Sequence, residues 1–180
     1  MKSKQHTRHK KIIHEGEFLR FIQLHDWEYV ERSNSTGVVI IIAVTNNDKI
    51  LFVEQFRPPV GKNVVELPAG LMSDEVEYQG ESFAVAAKRE LLEETGYRAS
   101  RIVKLAHGPV SGGLTSDMVT IVQALNIKKV GAGGGVGKER LQIHEVPLRG
   151  IHVWLKKKER QGCLIEPKIY AGLYFILNQK

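Results

Sequence analysis

Cysteine is almost absent from the sequence, and so is any long apolar run. Among 180 residues only Cys163 is a cysteine, which excludes an intramolecular disulfide framework and suits a reducing compartment. The longest apolar run, residues 37–44, is far shorter than the roughly 18 residues that a membrane span needs. The basic N-terminus is followed by no apolar segment of the kind found in secretory signals. We therefore expect a cytoplasmic protein that does not bind membranes.

Acidic residues are missing from the first eleven positions. Residues 1–11 contain five lysines and arginines, so the net charge of +6 falls to +1 in the rest of the chain, which has 21 basic and 20 acidic residues. Because blocks of like charge are usually solvated, we expect a disordered tail here, with loose phosphate or RNA contact as the alternative. A nucleic-acid partner is not expected for the remaining residues, 12–180, whose length and composition fit one domain.

Strand and helix patterns alternate along the chain without an internal repeat. Predicted strands, bounded by turn residues, cover residues 16–24, 26–33, 37–44, 49–56, 64–70, 117–125 and 140–146. Predicted helices cover about 82–95, 151–160 and 167–178. Ser82 is the expected N-cap of the first helix and Gly96 its C-terminal stop. Residues 45–48 indicate a hairpin turn and the glycine-rich residues 131–137 a mobile loop. These elements together predict an α+β layered fold.

The first predicted helix carries a concentration of acid. Glu90 and Glu94 lie one turn apart beside its apolar face, and Glu93 lies further out, where Arg89 can pair with it. Like charges at this spacing weaken a helix by about 0.2–0.5 kcal/mol per pair. Two such carboxylates are suitable ligands for Mg²⁺, which keeps water and substrate phosphates as its other ligands. A solvated acidic flank is the alternative, and helix spacing alone favours it.

The full motif that contains these glutamates favours a metal site over a solvated acidic flank. The motif "E-x7-R-E-L-x-E-E-x-G-Y", from Glu81 to Tyr97, resembles the signature of Nudix hydrolases. In that family the segment is a loop–helix–loop that binds divalent metals, which activate water against a diphosphate linkage. The resemblance implies a Nudix fold, with mixed β-sheets sandwiched between α-helices, metal ligation by Glu90 and Glu94, and a catalytic role for Glu93.

One departure concerns the glycine that begins the family signature. In the family this glycine precedes the first glutamate by six residues, whereas Gly70 precedes Glu81 by eleven. This spacing indicates a five-residue insertion. We expect the insertion to lengthen the loop and to leave the helix in place.

The segment before the signature narrows the resemblance. "VEQFRPPVGKNVVELPAGL" (53–71) is similar to ADP-ribose pyrophosphatases and other nucleoside-diphosphate-sugar hydrolases. In those enzymes the alanine before the glycine of this segment binds a metal through its carbonyl, which implies this role for Ala69. The arginine of the "QFRPP" stretch contacts substrate phosphate, which implies this role for Arg57. "WEYVERS" resembles a stretch whose tryptophan stacks on the nucleobase and whose arginine reaches phosphate across a dimer interface. Those roles fall to Trp27 and Arg32, for which a core and a surface position are the structural alternatives. The implied assembly is a homodimer that uses an N-terminal antiparallel strand extension.

The same subfamily supplies a glutamate from a flexible loop before a late strand, as a base or a metal ligand. This resemblance implies that role for Glu139, directly after the glycine-rich loop, with Glu145 inside the strand as the competitor. "GGLTSDM" (112–118) weakly resembles a substrate-side loop with two acids, where this chain has Ser116 and Asp117. The C-terminal "IEPKIYAGLYFIL" resembles the closing helix of the sugar-nucleotide hydrolases.

The resemblance implies a Mg²⁺-dependent hydrolase, with Mn²⁺ as a possible substitute. Its expected substrate is ADP-ribose or another nucleoside diphosphate sugar, cleaved to a nucleoside monophosphate and a sugar phosphate. Metals would polarise the phosphoryl group and lower the pKa of bound water. Two alternatives stay open: a Nudix hydrolase of dinucleoside polyphosphates or capped RNA, which only the basic tail supports, and a non-catalytic Nudix sensing module. The intact glutamates of the motif disfavour the second.

Overall fold

The computed structural model describes residues 10–73, 76–137 and 140–178. Within these ranges the strands are β1 (Lys10–Glu15), β2 (Leu19–Leu24), β3 (Trp27–Arg32), β4 (Gly37–Ala43), β5 (Lys49–Arg57), β6 (Lys62–Glu66), β7 (Ala69–Met72), β8 (Tyr97–Arg98), β9 (Arg101–Pro109), β10 (Met118–Leu125), β11 (Lys128–Lys129), β12 (Gln142–Pro147) and β13 (Leu164–Ile165). The helices are α1 (Phe83–Thr95), α2 (Ile151–Arg160) and α3 (Lys168–Leu177). The predicted α+β class is confirmed.

Most strands of the described chain belong to three sheets. Their orders are β1-β2-β3, β7-β4-β10-β9 and β12-β5-β6-β13, while β8 and β11 form a small ribbon. The first sheet is antiparallel and forms the predicted N-terminal extension. The second is mixed, because β4 runs parallel to β10 and antiparallel to β7. The third is also mixed, because β13 runs parallel to β6.

Strand β4 lies between two layers of the core. Successive side chains of a strand point to opposite faces, so Val39 and Ile41 pack with the apolar side of α1, whereas Ile40 and Ile42 pack with residues of α2 and α3. All four side chains are fully buried. A strand covered on both faces has an almost continuous apolar sequence, which explains the apolar run at residues 37–44.

One predicted strand and the pairing at one predicted hairpin turn differ from the structure. Residues 64–70 were predicted as one strand, but Leu67 and Pro68 separate β6 from β7, which belong to different sheets. Proline has no N–H group to continue a ladder, and the carbonyl of Pro68 instead accepts from the Ile41 N–H at 2.8 Å. The turn at residues 45–48 forms, but it does not lead into a long hairpin. Among the described residues, Val44 and Ile50 form an isolated bridge across the turn, whereas β5 pairs with β6 and β12.

The ends of α1 lie where the sequence predicts them. The side chain of Ser82 accepts from the Val85 N–H at 3.4 Å, and Gly96 adopts the left-handed conformation with φ of +74°. The inserted segment before the helix contains a short 3₁₀ turn, Val76–Tyr78. The insertion therefore lies ahead of the N-cap and leaves the helix at its expected position.

The glycine-rich segment is more ordered than its composition predicts. We call residues 130–137 the glycine loop. The N–H groups of Val130 and Gly131 donate to the carbonyl of Gly96 at 2.8 and 3.1 Å. Gly134 donates to the carbonyl of Glu94 at 2.8 Å, and the next residue donates to the carbonyl of Glu93 at 3.1 Å. The sequence predicted a mobile loop here, and in the structure these residues dock on the C-terminal end of α1.

The N-terminal boundary differs from the predicted one. Lys10 and Lys11, which the charge pattern assigned to the tail, begin strand β1, and Lys10 pairs with Glu31 of β3 at 2.6 Å. The prediction of a disordered tail now concerns residues 1–9, which lie outside the described residues. Among the described helices, none is both long and apolar enough to cross a membrane.

A buried cluster of charged and polar side chains connects α2 to the third sheet. Glu54 of β5 is 6% exposed and accepts from Lys158 at 2.6 Å, His144 at 2.8 Å and Cys163 at 3.3 Å. Burial alone would raise the pKa of Glu54, but these three hydrogen bonds outweigh it and lower the pKa to about 2. Burial lowers the pKa of His144, although its bond to Glu54 opposes that shift. The carboxylate thus stays ionised, and its neighbours compensate its burial.

Candidate metal and phosphate site

A polar cleft of about 320 Å³ lies between α1, β7 and the end of β5. Its lining includes Glu90 and Glu94 of α1, Ala69 of β7, and the side chains of Arg32 and Arg57. Five of the residues that the sequence analysis assigned to the site therefore meet in one place. Their roles in binding and catalysis stay predictions.

Glu90 reaches the cleft across a glycine. Glu90 is only 9% exposed, and its carboxylate lies against the backbone of Gly70. A Cβ atom at position 70 would lie 1.9 Å from Cδ and 2.0 Å from Oε1 of Glu90. Gly70 corresponds to the first glycine of the family signature, which the insertion separates further from Glu81 in the sequence. In the structure this glycine still leaves the space that the Glu90 carboxylate occupies.

Glu94 is oriented by the strand opposite it. The residue is 6% exposed, and its Oε2 accepts from the backbone N–H of Ala69 at 3.1 Å. This bond attaches the helix carboxylate to the residue whose carbonyl is the third predicted metal ligand. Such a contact holds the carboxylate next to β7 before any cation binds.

Arg89 connects three of the acids of the motif. Its guanidinium bonds to Glu81 at 2.9 Å, to Glu90 at 2.8 Å and to Glu93 at 3.3 Å. The predicted pairing of Arg89 with Glu93 is confirmed, and the network is wider than predicted. Burial alone would lower the pKa of Arg89, but Glu81 and Glu90 outweigh it and raise the pKa further above its ordinary value. Tyr78, from the insertion, covers the guanidinium with its ring centroid 4.2 Å from Cζ.

Each of the two arginines that were predicted to bind substrate pairs with a carboxylate of this chain. Arg57 pairs with Glu66 at 2.9 Å, and Arg32 pairs with Asp117 at 3.2 Å. Glu66 was missed by the sequence analysis, although its position in "VVELPAG", on the strand that pairs with β5, was a usable signal. Arg32 reaches this cleft from its own chain, so a dimer is not needed to bring it there.

Trp27 is not brought to the same cleft. It lies at the opposite end of β3 from Arg32 and is 62% exposed, so it is not a core residue. It lines a second, smaller cleft of about 210 Å³ together with Tyr29 and the loop residues Thr115 and Ser116.

The two acids near the late strand are placed differently. Glu139 lies outside the described residues, so its predicted role stays a prediction. Glu145 lies in β12, where Tyr97 donates to it at 2.7 Å and Lys129 at 3.1 Å. These two hydrogen bonds lower the pKa of Glu145, and they occupy the carboxylate away from the polar cleft.

The donors at the cleft fit a hard divalent cation. Glu90 and Glu94 supply carboxylate oxygen, which is what Mg²⁺ and Mn²⁺ bind, the predicted ligand Ala69 lines the same cleft, and Gly70 leaves space beside Glu90. In the part of the chain that the structure describes, no three acidic, histidine or cysteine side chains converge into a complete metal site. Water and substrate phosphate would therefore have to complete the coordination, as is usual for Mg²⁺.

The fold is that of a known structure. A crystal structure of an ADP compounds hydrolase superposes with a TM-score of 0.72, covering 93% of this chain and 89% of that one. The sequence identity is 18%, so this likeness shows the fold and nothing further. The predicted Nudix-type architecture is confirmed.

The sequence comparisons identify the family. A family model described as the NUDIX domain matches residues 35–124, which is half of the chain. The protein therefore belongs to the Nudix family, and the predicted resemblance is confirmed.

Two curated relatives share about a third of their aligned residues with this chain. The methanol dehydrogenase activator of Bacillus methanolicus is 36% identical over 123 residues, and the mouse ADP-sugar pyrophosphatase is 34% identical over 188 aligned positions. These alignments cover 68% and 90% of this chain. The chain spans 64% of the length of the first relative and 83% of the second.

Proposed function

We propose that the protein uses Mg²⁺ to hydrolyse the diphosphate of ADP-ribose or of another nucleoside diphosphate sugar. The products are a nucleoside monophosphate and a sugar phosphate. One observation carries this proposal: two buried carboxylates, Glu90 and Glu94, and two arginines, Arg32 and Arg57, line one cleft. The mouse relative is an ADP-sugar pyrophosphatase, which supports the substrate class.

The acidic side of the cleft would hold the cation. Glu90, Glu94 and the carbonyl of Ala69 are the proposed ligands, and Mn²⁺ is the expected substitute because it accepts the same oxygen donors. A bound divalent cation supplies positive charge that polarises a phosphoryl oxygen and lowers the pKa of coordinated water. Arg89 keeps Glu90 and Glu93 at fixed positions through its two bonds to them.

The basic side of the cleft would hold the diphosphate. Arg57 and Arg32 are paired with Glu66 and Asp117 in the free chain, so both guanidiniums are already oriented. Phosphate oxygens form charge-assisted bonds with guanidinium groups, and a diphosphate presents several of them at once. In the reaction, a water oxygen bonds to one phosphorus, the bridging P–O bond to that phosphorus breaks, and a base takes the proton of the water. Glu139 and Glu93 are the proposed bases, and Glu139 is also a proposed metal ligand.

The N-terminal sheet is the proposed dimer surface. It exposes large apolar side chains on and near its strands, and among these are Ile12, Ile13, Phe18, Leu19 and Trp27. Exposed apolar residues gathered on one sheet are typical of a protein–protein interface. In such a dimer Trp27 would stack on the nucleobase, in keeping with its exposure and its distance along β3 from Arg32.

A substrate panel with product masses tests the proposal. The purified chain is incubated with Mg²⁺ and ADP-ribose, other nucleoside diphosphate sugars, a dinucleoside polyphosphate and capped RNA, in parallel with Glu90→Gln. We expect AMP and ribose 5-phosphate from ADP-ribose, with ¹⁸O from labelled water in one of them, and little product from Glu90→Gln. Turnover of capped RNA alone, or equal turnover by both proteins, would refute the assignment.

A further inference from the structure

The backbone of the glycine loop, residues 130–137, bonds to the carbonyls of Glu93 and Glu94, and Glu94 lines the polar cleft. Helix α1 ends at Thr95, so the carbonyls of its last turn have no partner within the helix. The carbonyl of Glu94 instead accepts from Gly134 at 2.8 Å, and that of Glu93 accepts from Gly135 at 3.1 Å. The side chain of Glu94 bonds to Ala69 on the other side. Glu94 is thus held by its backbone and by its carboxylate at once.

These hydrogen bonds counteract an unfavourable electrostatic interaction at the C-terminal end of α1. The C-terminal end of a helix carries partial negative charge, and carboxylates within its last turn are unfavourable there. Glu93 and Glu94 lie in that turn. The N–H groups of Gly134 and Gly135, which donate to these carbonyls, offset part of this charge and restrain the end of the helix from fraying.

The contact needs glycine at particular positions. Gly133 has φ of +69°, and a Cβ atom there would lie 2.4 Å from the carbonyl carbon of Thr95 and 2.6 Å from the backbone nitrogen of Gly96. Because both neighbours are backbone atoms, neither can move aside without disturbing the end of the helix. Gly137 has φ of +60°, but a Cβ atom there meets no described atom within 4 Å. Of these two left-handed glycines of the same loop, only Gly133 therefore contacts α1.

We propose that the glycine loop is a positioning element, in which Gly133 allows the backbone of Gly134 and Gly135 to hold the metal-binding end of α1 in place. This inference rests on the proposed function, because it assumes that Glu94 binds the cation. The loop does not contact substrate in this role. It acts through the carbonyls of Glu93 and Glu94 and so through the orientation of their carboxylates.

The test compares Gly133→Ala with the matched control Gly137→Ala. Both changes impose the same kind of left-handed strain, but only the first displaces the loop from α1. The affinity for Mn²⁺ alone is measured by electron paramagnetic resonance at a temperature where both variants are folded. Because outer-shell partners of metal ligands typically contribute roughly 10–100-fold to affinity, we expect a loss of that size in Gly133→Ala and less than about 3-fold in Gly137→Ala. Equal affinities in the two variants would overturn the proposal.

Hydrogen exchange supplies a readout that needs no metal. In the metal-free wild-type protein the amides of Gly134 and Gly135 should be protected, and the amides of the last turn of α1 should exchange about 10-fold faster in Gly133→Ala than in Gly137→Ala. Unprotected Gly134 and Gly135 amides, or equal exchange in the two variants, would overturn the proposal even if Gly133→Ala folds poorly.

Glu94→Gln separates this inference from the proposed function. If Glu94→Gln binds Mn²⁺ as tightly as the wild type, the assigned metal site is wrong and the effect of the loop on affinity loses its basis. The exchange comparison then still decides whether the loop positions the end of α1. If Glu94→Gln loses affinity and the two glycine variants do not differ, the metal site stands and the loop inference fails.

Discussion

Replacement of Gly70 by alanine should disable the site while leaving the fold intact. The new Cβ atom would lie 1.9 Å from Cδ and 2.0 Å from Oε1 of Glu90, whereas ordinary contact begins near 3.4 Å. The carboxylate must therefore shift by about 1.5 Å, and it can do so because it is the end of a flexible side chain. A misplacement of about 1 Å can lower turnover roughly 100-fold. Gly70 is not among the glycines with positive φ, so alanine introduces no backbone strain there.

The assay measures kcat, KM and the thermal midpoint of Gly70→Ala beside the control Gly108→Ala. Gly108 lies in β9, and a Cβ atom there meets nothing within 4 Å. We expect kcat to fall about 100-fold in Gly70→Ala, with a midpoint close to that of the wild type, and we expect near-normal kinetics in Gly108→Ala. Normal turnover by Gly70→Ala would refute the placement of Glu90 as a ligand, and a large loss of stability would show that the shift is not confined to its side chain.

Three further predictions follow from other residues. The pKa of Glu54 is lowered to about 2 in the folded chain, against 4.5 ordinarily. Its ionised form therefore contributes about 3 kcal/mol to the free energy of unfolding above pH 4.5, and this contribution is lost as the pH falls towards 2. The pKa of His144 is also lowered, so protonation of this residue reduces the free energy of unfolding further once the pH falls below its ordinary value of 6.5. Urea unfolding between pH 7 and pH 3 should show this fall, and Glu54→Gln should flatten the acidic part of it. Trp27→Ala should raise KM about 10-fold or more with little change in kcat. The reason is that base stacking, which contributes about 1–3 kcal/mol, is similar in the ground and transition states. A fall in kcat alone would contradict a stacking role for Trp27. Glu139→Gln should lower kcat with much less change in KM, whereas Glu145→Gln should stay active, and the reverse result would show that the base is misassigned.

The α1 segment was predictable because local chemistry determines it. Ser82 caps it, Gly96 ends it in a left-handed conformation, and the charges of the motif lie at helical spacing. Such signals lie within a few residues of each other and do not depend on the rest of the fold. The meeting of Glu90 with Ala69 was available only through the family resemblance, because it joins residues that are far apart in the sequence.

Features that depend on tertiary contacts were missed. Strand β9 was not predicted, since its sequence, "RIVKLAHGP", does not alternate regularly and its pairing with β10 includes a register shift. The order of the glycine loop was missed for a similar reason: its partners are carbonyl groups of α1, which no side-chain pattern reveals. Glu66 and Asp117 likewise acquire a function only once the fold brings Arg57 and Arg32 beside them.

The central claim is that Glu90 and Glu94 bind the cation that drives hydrolysis. The most direct measurement is the steady-state hydrolysis of ADP-ribose by Glu94→Gln and by the wild type over a range of Mg²⁺ concentrations, with circular dichroism to show that the helix persists. We expect turnover to be lower by at least about 100-fold at every Mg²⁺ concentration, because loss of a ligand should exceed the roughly 10–100-fold effect of an outer-shell change. We also expect no loss of helix, since removing one of two like charges at i and i+4 relieves repulsion. Wild-type turnover by Glu94→Gln at saturating Mg²⁺ would show that Glu94 does not bind the cation.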